Sequence, residues 1–378
     1  MRIAYCAHSK VPSREANSIH VVKMCQALAN QGIDIELLVP NLQAEKGDPF
    51  DFYGVDKIFR IKYIKWSSVK LGVFLYSYRV LRYLLRAKKD GVYGRDLTTC
   101  FVTASYGIPT IWESHSPVDY MGFPYVHLFK IMVKRKSFVK LVVITSTLKK
   151  FYIDKYDISP DKIVVLPDCS DTLDLTKINP IQIESNGCKA NVGYIGQLYP
   201  GKGMEILSRI IPLCTDVMFH IVGGNEKDIQ KWRNNLKDAK NVIFHGFKIP
   251  SVTASYGLAM DILIAPYMRN VQGVCSSFEN DLSNWMSPLK LFEYMSYRKP
   301  IIATDLPVLH DILNEKNSIM CNPDNISEWV DAIYRLLVNP NEAKRIASNA
   351  FSDFNEKYTW SIRAEKINEL YKNVTMIK

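Results

Sequence analysis

The stretch S-P-L-K-L-F-E-Y-M-S-Y-R-K-P-I-I-A-T-D runs from Ser287 to Asp305 and reads as a helix followed closely by a buried strand. Ser287 is a favourable N-cap, and Pro288 suits the first helical position, where a missing N–H costs no hydrogen bond. Pro300 stops the helix, and the apolar run 301–303 is typical of an internal strand. The stretch therefore predicts one αβ unit of an α/β fold.

Lys290 and Glu293 stand three residues apart, so they share one face of this helix. The helix start offers free N–H groups and the positive end of a dipole, and a nearby lysine adds a full charge. Such a site binds phosphate. An ordinary surface Lys–Glu pair is the alternative that the stretch alone leaves open.

The length of the chain predicts two domains, since 378 residues exceed one ordinary core. Hydrophobic content of 47% and charged content of 23% are globular values. The eight cysteines are scattered without paired spacing, which favours reduced thiols over disulfides or a zinc site. The start is too short and polar for a signal peptide, and no run of about 18 apolar residues occurs. These features predict a cytoplasmic protein.

Strand-like and helix-like segments alternate along both halves, which predicts parallel, doubly wound sheets. The predicted strands share short apolar runs and lie near residues 2–6, 33–39, 108–113, 140–146, 191–196, 217–224, 241–246, 261–266, 300–305 and 318–323. We expect domains at 1–175 and 191–360, a linker at 176–190, and a helix at 361–378 that packs back on the first domain. The sequence thus predicts two Rossmann-like domains that face each other across a cleft.

The positive charge is concentrated in the first half, where residues 1–175 carry 25 Lys and Arg against 17 Asp and Glu. No acidic residue occurs from Lys57 to Lys89, although ten basic residues do. A helix over 73–89 would carry Arg79, Arg82 and Arg86 on one side and apolar side chains on another. This pattern suits an anionic membrane surface, and a solvated helix face is the alternative. No nucleic-acid-binding motif accompanies the charge.

A second candidate anion site is the strand–loop–helix Y-I-G-Q-L-Y-P-G-K-G-M (194–204), in which Lys202 lies between two glycines. The loop is not a Walker A motif, and no G-x-G-x-x-G follows the first strand. These absences count against P-loop NTPases and ordinary NAD enzymes. The long aperiodic stretch 266–287 leads into the helix at Lys290, and loops of that length are usually functional.

The order of motifs resembles that of the retaining GT-B glycosyltransferases of family 4 over nearly the whole chain. In the second half the resemblance is carried by Y-I-G-Q-L-Y-P-G-K-G, F-H-I-V-G-G (219–224), V-I-F-H-G-F (242–247) and S-P-L-K-L-F-E-Y-M (287–295). In the first half it is carried by A-N-S-I-H-V-V-K-M (16–24), I-P-T-I-W-E-S-H-S-P (108–117) and the segment 142–168. It implies sugar transfer from a nucleotide diphosphate with retention.

The resemblance also implies roles for individual residues. His115 matches a catalytic histidine near the transferred sugar, Glu293 matches a ribose-binding glutamate, and Phe247 and Lys248 lie where the base binds. Candidate contacts to the sugar or acceptor are Glu113, Asn17 and Arg269. The implied diphosphate-binding residues are Gly196, Gln197, Lys202, Ser287, Leu289 and Lys290.

The sequence departs from the family pattern in three motifs. Trp285 replaces the first glutamate of E-x7-E, Gln197 replaces a phosphate-binding arginine, and Ala16 and Asn17 replace loop glycines. The missing glutamate removes an acceptor for sugar hydroxyls, which is compatible with an amino or deoxy sugar. Chains with S-P-L-K-L-F-E-Y-M and no first glutamate form a recognisable subset of the family.

We therefore expect a metal-independent transferase for a hexosyl or related sugar that needs no cofactor besides its nucleotide-sugar donor. The expected acceptor is a glycan or a polyprenyl-diphosphate-linked glycan in bacterial lipopolysaccharide O-antigen or capsule synthesis. The enzyme would work at the inner face of the plasma membrane as a peripheral protein, without nucleic acid. A non-catalytic subunit of the same fold, binding a lipid-linked glycan or a partner enzyme, is the alternative.

Overall fold

The computed structural model describes residues 1–174, 176–271 and 281–375, with side chains up to residue 372, so part of the stretch 266–287 lies outside it. The chain divides into two compact units. Unit 1 comprises Met1–Pro167 together with the chain from Trp360 onward, and unit 2 comprises Asp168–Thr359.

Unit 1 is built on a parallel sheet of seven strands in the order β3-β2-β1-β4-β5-β6-β7. Its strands are β1 (Arg2–Cys6), β2 (Asp34–Pro40), β3 (Arg60–Ile64), β4 (Gly91–Gly94), β5 (Thr110–Ser114), β6 (Phe138–Val143) and β7 (Ile163–Val165). Its helices are α1 (Ala16–Asn30), α2 (Pro49–Tyr53), α3 (Gly72–Ala87), α4 (Leu97–Ser105), α5 (Phe123–Met132), α6 (Ser146–Tyr156) and, at the end of the chain, α13 (Trp360–Thr375). Helix α13 packs against α1.

Unit 2 is built on a parallel sheet of six strands in the order β10-β9-β8-β11-β12-β13. Its strands are β8 (Ala190–Ile195), β9 (Val217–Val222), β10 (Val242–Gly246), β11 (Ile262–Ala265), β12 (Ile301–Thr304) and β13 (Ile319–Cys321). Its helices are α7 (Met204–Ile210), α8 (Glu226–Asn235), α9 (Pro250–Ala259), α10 (Leu289–Ser296), α11 (Ile326–Val338) and α12 (Pro340–Lys357).

The prediction of two doubly wound α/β units is confirmed, and every strand predicted from an apolar run is present. The sequence pattern does not predict strands β3, β4 and β7. The β3 sequence R-I-K-Y-I is half polar because the strand lies at the edge of the sheet, paired only with β2. Strands β4 and β7 span four and three residues, too few to show a periodicity.

The predicted starts of two helices are wrong. Helix α10 begins at Leu289 with Pro288 as the preceding residue, and the Ser287 hydroxyl oxygen instead accepts the Asp168 N–H at 2.9 Å. The pattern S-I-H-V-V-K-M-C-Q-A-L-A-N-Q-G (18–32) predicts a helix capped by Ser18. Helix α1 instead begins at Ala16, and the Ser18 hydroxyl bonds backbone carbonyls of the preceding turn. In both cases a serine makes a local or tertiary bond that sequence cannot distinguish from capping.

Candidate functional site

The order of the unit 2 strands reverses between β8 and β11, and ligands of open α/β sheets bind beyond the carboxyl ends at such a point. The loop 196–203 leaves β8 there, and Tyr267 follows β11. Helix α10 is tied to the same place because its Tyr294 hydroxyl accepts the Ile195 N–H at 2.8 Å. Two separate predicted anion sites, the glycine-bearing loop and the start of α10, therefore share one edge of the sheet.

The backbone conformation of the loop 196–203 is fixed by contacts with neighbouring residues. The Tyr194 hydroxyl lies 2.6 Å from the Gln197 carbonyl oxygen and 3.0 Å from the Lys202 carbonyl oxygen, so it donates across the loop. Gly201 has φ +79°, and a Cβ there would clash with the carbonyl oxygen of Asn270. The backbone on which Lys202 stands is thus held from both sides.

The Lys290 ammonium lies against Tyr194 of β8 and Tyr267, which follows β11. Its Nζ lies 4.0 Å from the ring centroid of Tyr194 and 4.8 Å from that of Tyr267. The atom is buried and has no hydrogen-bond partner among the described residues. A Cβ at Gly196 would lie 3.0 Å from Nζ, so the glycine leaves room in front of the charge. The aromatic faces partly offset the desolvation of the cation, but only an anion would compensate it.

The two lysines share one electrostatic environment. Burial lowers the pKa of Lys290 well below its usual range, the Lys202 charge lowers it further, and Glu293 acts in the opposite sense. Burial also lowers the pKa of Lys202 to about 8, and its Nζ lies 5.8 Å from the Tyr267 ring centroid. Two cations held close together in a partly dry site favour a ligand with two or more negative charges.

The remaining residues predicted in unit 2 lie on α10 and after β10. Leu289 opens α10, and Glu293 lies one turn beyond Lys290 on the same helix. Phe247 and Lys248 follow β10, at the edge of the sheet, where the Lys248 Nζ lies 5.4 Å from the ring centroid of Tyr256.

Arg269, a predicted candidate contact to the sugar or acceptor, is exposed and bonds Asp324 at 2.7 Å. Tyr194 and Tyr267 were not predicted. Each stands in or just after an apolar strand, where a tyrosine is indistinguishable from core packing.

Unit 1 contains a buried cluster around Glu113, near the end of β5. The Oε1 atom of this carboxylate is hydrogen-bonded to His115 Nε2 and lies 2.9 Å from His20 Nε2. Burial would raise the pKa of Glu113, but Arg363 and His20, together with the hydrogen bonds from both imidazoles, hold it well below its usual range. His115 is 21% exposed, whereas Glu113 and His20 are buried. His115 therefore presents an oriented imidazole at the end of the strand.

The same cluster has the composition of a metal site. Ligand atoms of His20, Glu113 and His115 all lie within 4.8 Å of one another. However, Arg363 lies 3.1 Å from the carboxylate and already compensates its charge, so the cluster offers a divalent cation no net negative charge. Asn17, in the first turn of α1, has a buried Oδ1 with no hydrogen-bond partner in the described part of the chain.

The basic helix α3 differs from the sequence expectation in which side chains face outward. Tyr76, Val80 and Leu84 pack inward. Arg79 donates to the Lys65 carbonyl at 2.7 Å, so it anchors a neighbouring loop rather than joining an exposed cationic face. The other side, which we call the α3 surface, combines exposed apolar side chains with cations; its members are Val69, Leu71, Phe74, Leu75, Tyr78, Arg82, Leu85 and Arg86.

Two parallel-sheet Rossmann-like units of this kind define the GT-B class of glycosyltransferase folds. Residues 18–172 match the family model Glycosyltransferase Family 4, and residues 189–339 match the model Glycosyl transferases group 1. The two ranges cover most of the chain, so the chain belongs to the glycosyltransferases of the family 4 type.

Known proteins similar to this chain differ strongly from it in sequence. The GPI3 subunit of the phosphatidylinositol N-acetylglucosaminyltransferase of Saccharomyces cerevisiae is 23% identical over 71% of this chain, which spans only 58% of the yeast protein. The structure of Anabaena HepE in complex with UDP has a TM-score of 0.73 at 14% identity, with 99% of this chain and 100% of that chain covered. WaaG, a glycosyltransferase involved in lipopolysaccharide biosynthesis, has a TM-score of 0.64 at 16% identity, with 97% and 98% covered.

Proposed function

We propose that this glycosyltransferase takes its sugar from a nucleotide diphosphate whose two phosphates are bound by Lys202 and Lys290. The observation that carries the proposal is the buried Lys290 ammonium, which has no hydrogen-bond partner among the described residues and faces a gap kept open by Gly196. The N–H groups at the start of α10 add the positive end of a helix dipole. UDP in the similar HepE structure is consistent with this ligand class.

The same groups would lower the barrier to transfer. As the bond from the anomeric carbon to the phosphate oxygen breaks, negative charge grows on the leaving diphosphate. Lys202, Lys290 and the α10 amides would stabilise this charge without moving, which is the most effective form of electrostatic catalysis. We propose that this arrangement dispenses with a metal, that Glu293 binds the ribose, and that Phe247 and Lys248 flank the base.

For the acceptor side, we assign the catalytic role to His115 in unit 1, with Asn17 in the first turn of α1 as a candidate contact to a sugar or acceptor hydroxyl. The transfer would retain the anomeric configuration, as the family resemblance implies. Two features support a polar ligand near the end of β5 and the start of α1: the exposed fraction of His115, and the buried Oδ1 of Asn17, which has no hydrogen-bond partner among the described residues.

The acceptor we propose is lipid-linked, and the α3 surface would bring the enzyme to it. Exposed Leu71 and Phe74 offer apolar insertion, while Arg82 and Arg86 offer attraction to anionic headgroups. No helix in the described ranges has the length and apolar character to span a membrane. Peripheral attachment at the inner face of the plasma membrane and a role in bacterial surface polysaccharide synthesis follow from this proposal. The involvement of WaaG in lipopolysaccharide biosynthesis supports it.

A second candidate is the transfer of N-acetylglucosamine to a phosphoinositol lipid. The yeast relative favours it by name, and Trp285 in place of the first glutamate of E-x7-E is compatible with an amino sugar. Both candidates use the same donor site and differ only in the acceptor.

The test is a donor-cleavage and transfer assay with UDP- and GDP-linked sugars. Release of the nucleotide diphosphate without an acceptor identifies the donor, and mass spectrometry of added polyprenyl-diphosphate or phosphoinositol lipids identifies the acceptor. Neither cleavage nor transfer with any donor would favour a non-catalytic subunit that binds a lipid-linked glycan or a partner enzyme.

A further inference from the structure

The last helix of the chain supplies an arginine to the cluster around Glu113. Arg363 is 2% exposed, and its Nη1 lies 3.2 Å from Glu113 Oε2 and 2.9 Å from the Tyr93 hydroxyl. Its Nε donates to the Pro167 carbonyl at 3.0 Å, and its Nη2 donates to the Leu166 carbonyl at 3.2 Å. The guanidinium is thus held in one orientation by four groups, and it holds the Glu113 carboxylate in turn.

The held carboxylate determines the proton position on the His115 imidazole. Because Glu113 is ionised, its oxygens only accept hydrogen bonds, so His115 must donate from Nε2, and the His20 Nε2 atom lies 2.9 Å from the same carboxylate oxygen. In the neutral ring of His115 the proton therefore lies on Nε2, and Nδ1 is the acceptor nitrogen. The carboxylate thereby fixes both the tautomer and the direction of this ring.

Aromatic packing holds the same rings from the other side. The Trp360 ring, also on α13, lies edge-on to His20 with centroids 5.0 Å apart, and His20 lies edge-on to His115 at 5.1 Å. Two residues from the end of the chain therefore support a histidine about 250 positions earlier in the sequence.

We infer that Glu113 and Arg363 are positioning residues for His115, so that α13, which follows unit 2 in sequence, completes the acceptor-side site of unit 1. The inference rests on the proposed function, in which His115 contacts the reacting sugar. Without the charge of Glu113, the ring would lose its preferred tautomer and could rotate about its χ2 angle. A misplaced catalytic group lowers turnover far more than it weakens donor binding, because the diphosphate is bound by Lys202 and Lys290 of unit 2.

The experiment compares the native full-length protein with Glu113→Gln by two readouts. Nitrogen-15 NMR of the histidine rings should show the Nε2–H tautomer for His115 in the native protein, and a mixture of tautomers for His115 in the variant. In the transfer assay, kcat should fall about 10- to 100-fold, with KM for the donor changed less than about twofold. The optimum of the kcat–pH profile should also move, which loss of stability alone would not cause.

Glu36→Gln is the matched control. Glu36 is equally buried, accepts from the Tyr83 hydroxyl at 2.7 Å and pairs with Lys89 at 3.1 Å, so the substitution perturbs a similar network on β2. It should reduce stability to a similar degree and leave kcat and the His115 signals unchanged. Arg363→Lys should retain part of the activity that Arg363→Met loses.

If Arg363→Met does not fold, the double variant Glu113→Gln/Arg363→Met removes the uncompensated buried charge and takes its place. A native kcat and a native His115 tautomer in Glu113→Gln would overturn the inference, as would an equal loss of kcat in Glu36→Gln. Absence of donor cleavage and transfer by the native protein would instead overturn the proposed function, while the NMR signals still decide whether Glu113 sets the tautomer of His115.

Discussion

The pKa of Lys202 predicts that nucleotide diphosphate binding weakens as the pH rises from 7 to 9. Burial lowers this pKa to about 8, so the side chain is mostly charged at pH 7 and mostly neutral at pH 9. A bound diphosphate stabilises the charged form and raises the pKa, so binding takes up a proton wherever the free lysine is neutral. For Lys202 alone the affinity should fall about tenfold between these pH values, or about 1.4 kcal/mol.

Lys290 adds to the same trend, because burial and the Lys202 charge lower its pKa as well. The terminal phosphate of a nucleotide ionises near pH 6, so its own charge changes little over this range. Isothermal titration of UDP and GDP in two buffers of different ionisation enthalpy measures both the affinity and the proton uptake.

Lys202→Met should weaken binding at pH 7 by about 1.5–3 kcal/mol, the contribution of a hydrogen bond to a charged group, and should flatten the pH dependence. The ligand-free variant should be at least as stable as the native protein at pH 7, since burial disfavours the charge that it removes. Lys231→Met, which removes a lysine packed on Trp232, is the control and should change neither. An affinity that is constant from pH 7 to 9, without proton uptake, would refute the reasoning.

Three further predictions concern other parts of the chain. Glu293→Gln should erase most of a preference for ribonucleotides over their 2′-deoxy forms in competition binding; equal binding of both forms by the native protein would contradict a ribose contact. Replacing Arg82 and Arg86 with Gln should weaken the free energy of binding to anionic vesicles, measured by co-sedimentation, by about 2 kcal/mol without loss of nucleotide binding. In contrast, Arg79→Gln should mainly lower the stability of the fold. Native protein that does not bind such vesicles at low salt would exclude the membrane role. Burial and the His245 charge lower the pKa of His220 to about 4, so below pH 6.5 the unfolded chain binds more protons than the folded protein. The unfolding temperature of the native protein should therefore decrease as the pH is lowered from 6.5 to 4, and that of His220→Asn should decrease less.

The sequence predicts the two α/β units well because buried parallel strands are almost uninterrupted apolar runs. Examples are V-M-F-H-I-V (217–222), in which His220 is the one polar residue, and I-L-I-A (262–265). In contrast, R-I-K-Y-I of β3 is half polar and cannot be distinguished from the surrounding basic stretch. Helix starts are less predictable, since Ser287 and Ser18 use their hydroxyls for bonds other than capping.

In the candidate site, too, some residues can be predicted from the sequence and others cannot. Lys202 and Lys290 are predictable because a glycine-bearing loop and a helix start are local patterns, and the fold brings both to the switch point of the sheet. The aromatic faces of Tyr194 and Tyr267 around Lys290 depend on the packing of three elements, which leaves no local signal. Arg363 is the extreme case, because its partner Glu113 lies 250 positions away and the arginine stands in an ordinary amphipathic helix.

The most direct test of the donor site is the thermal stability of the native protein with a panel of nucleotide diphosphates, nucleotide sugars and the matching monophosphates. At a concentration of 100 times Kd, a ligand that binds only the folded state adds about 2.7 kcal/mol. We expect at least one nucleotide diphosphate or nucleotide sugar to raise the unfolding temperature, and the matching monophosphate to raise it much less. Lys290→Met should abolish the effect. Stabilisation by none of these ligands, or an equal response of Lys290→Met, would contradict it.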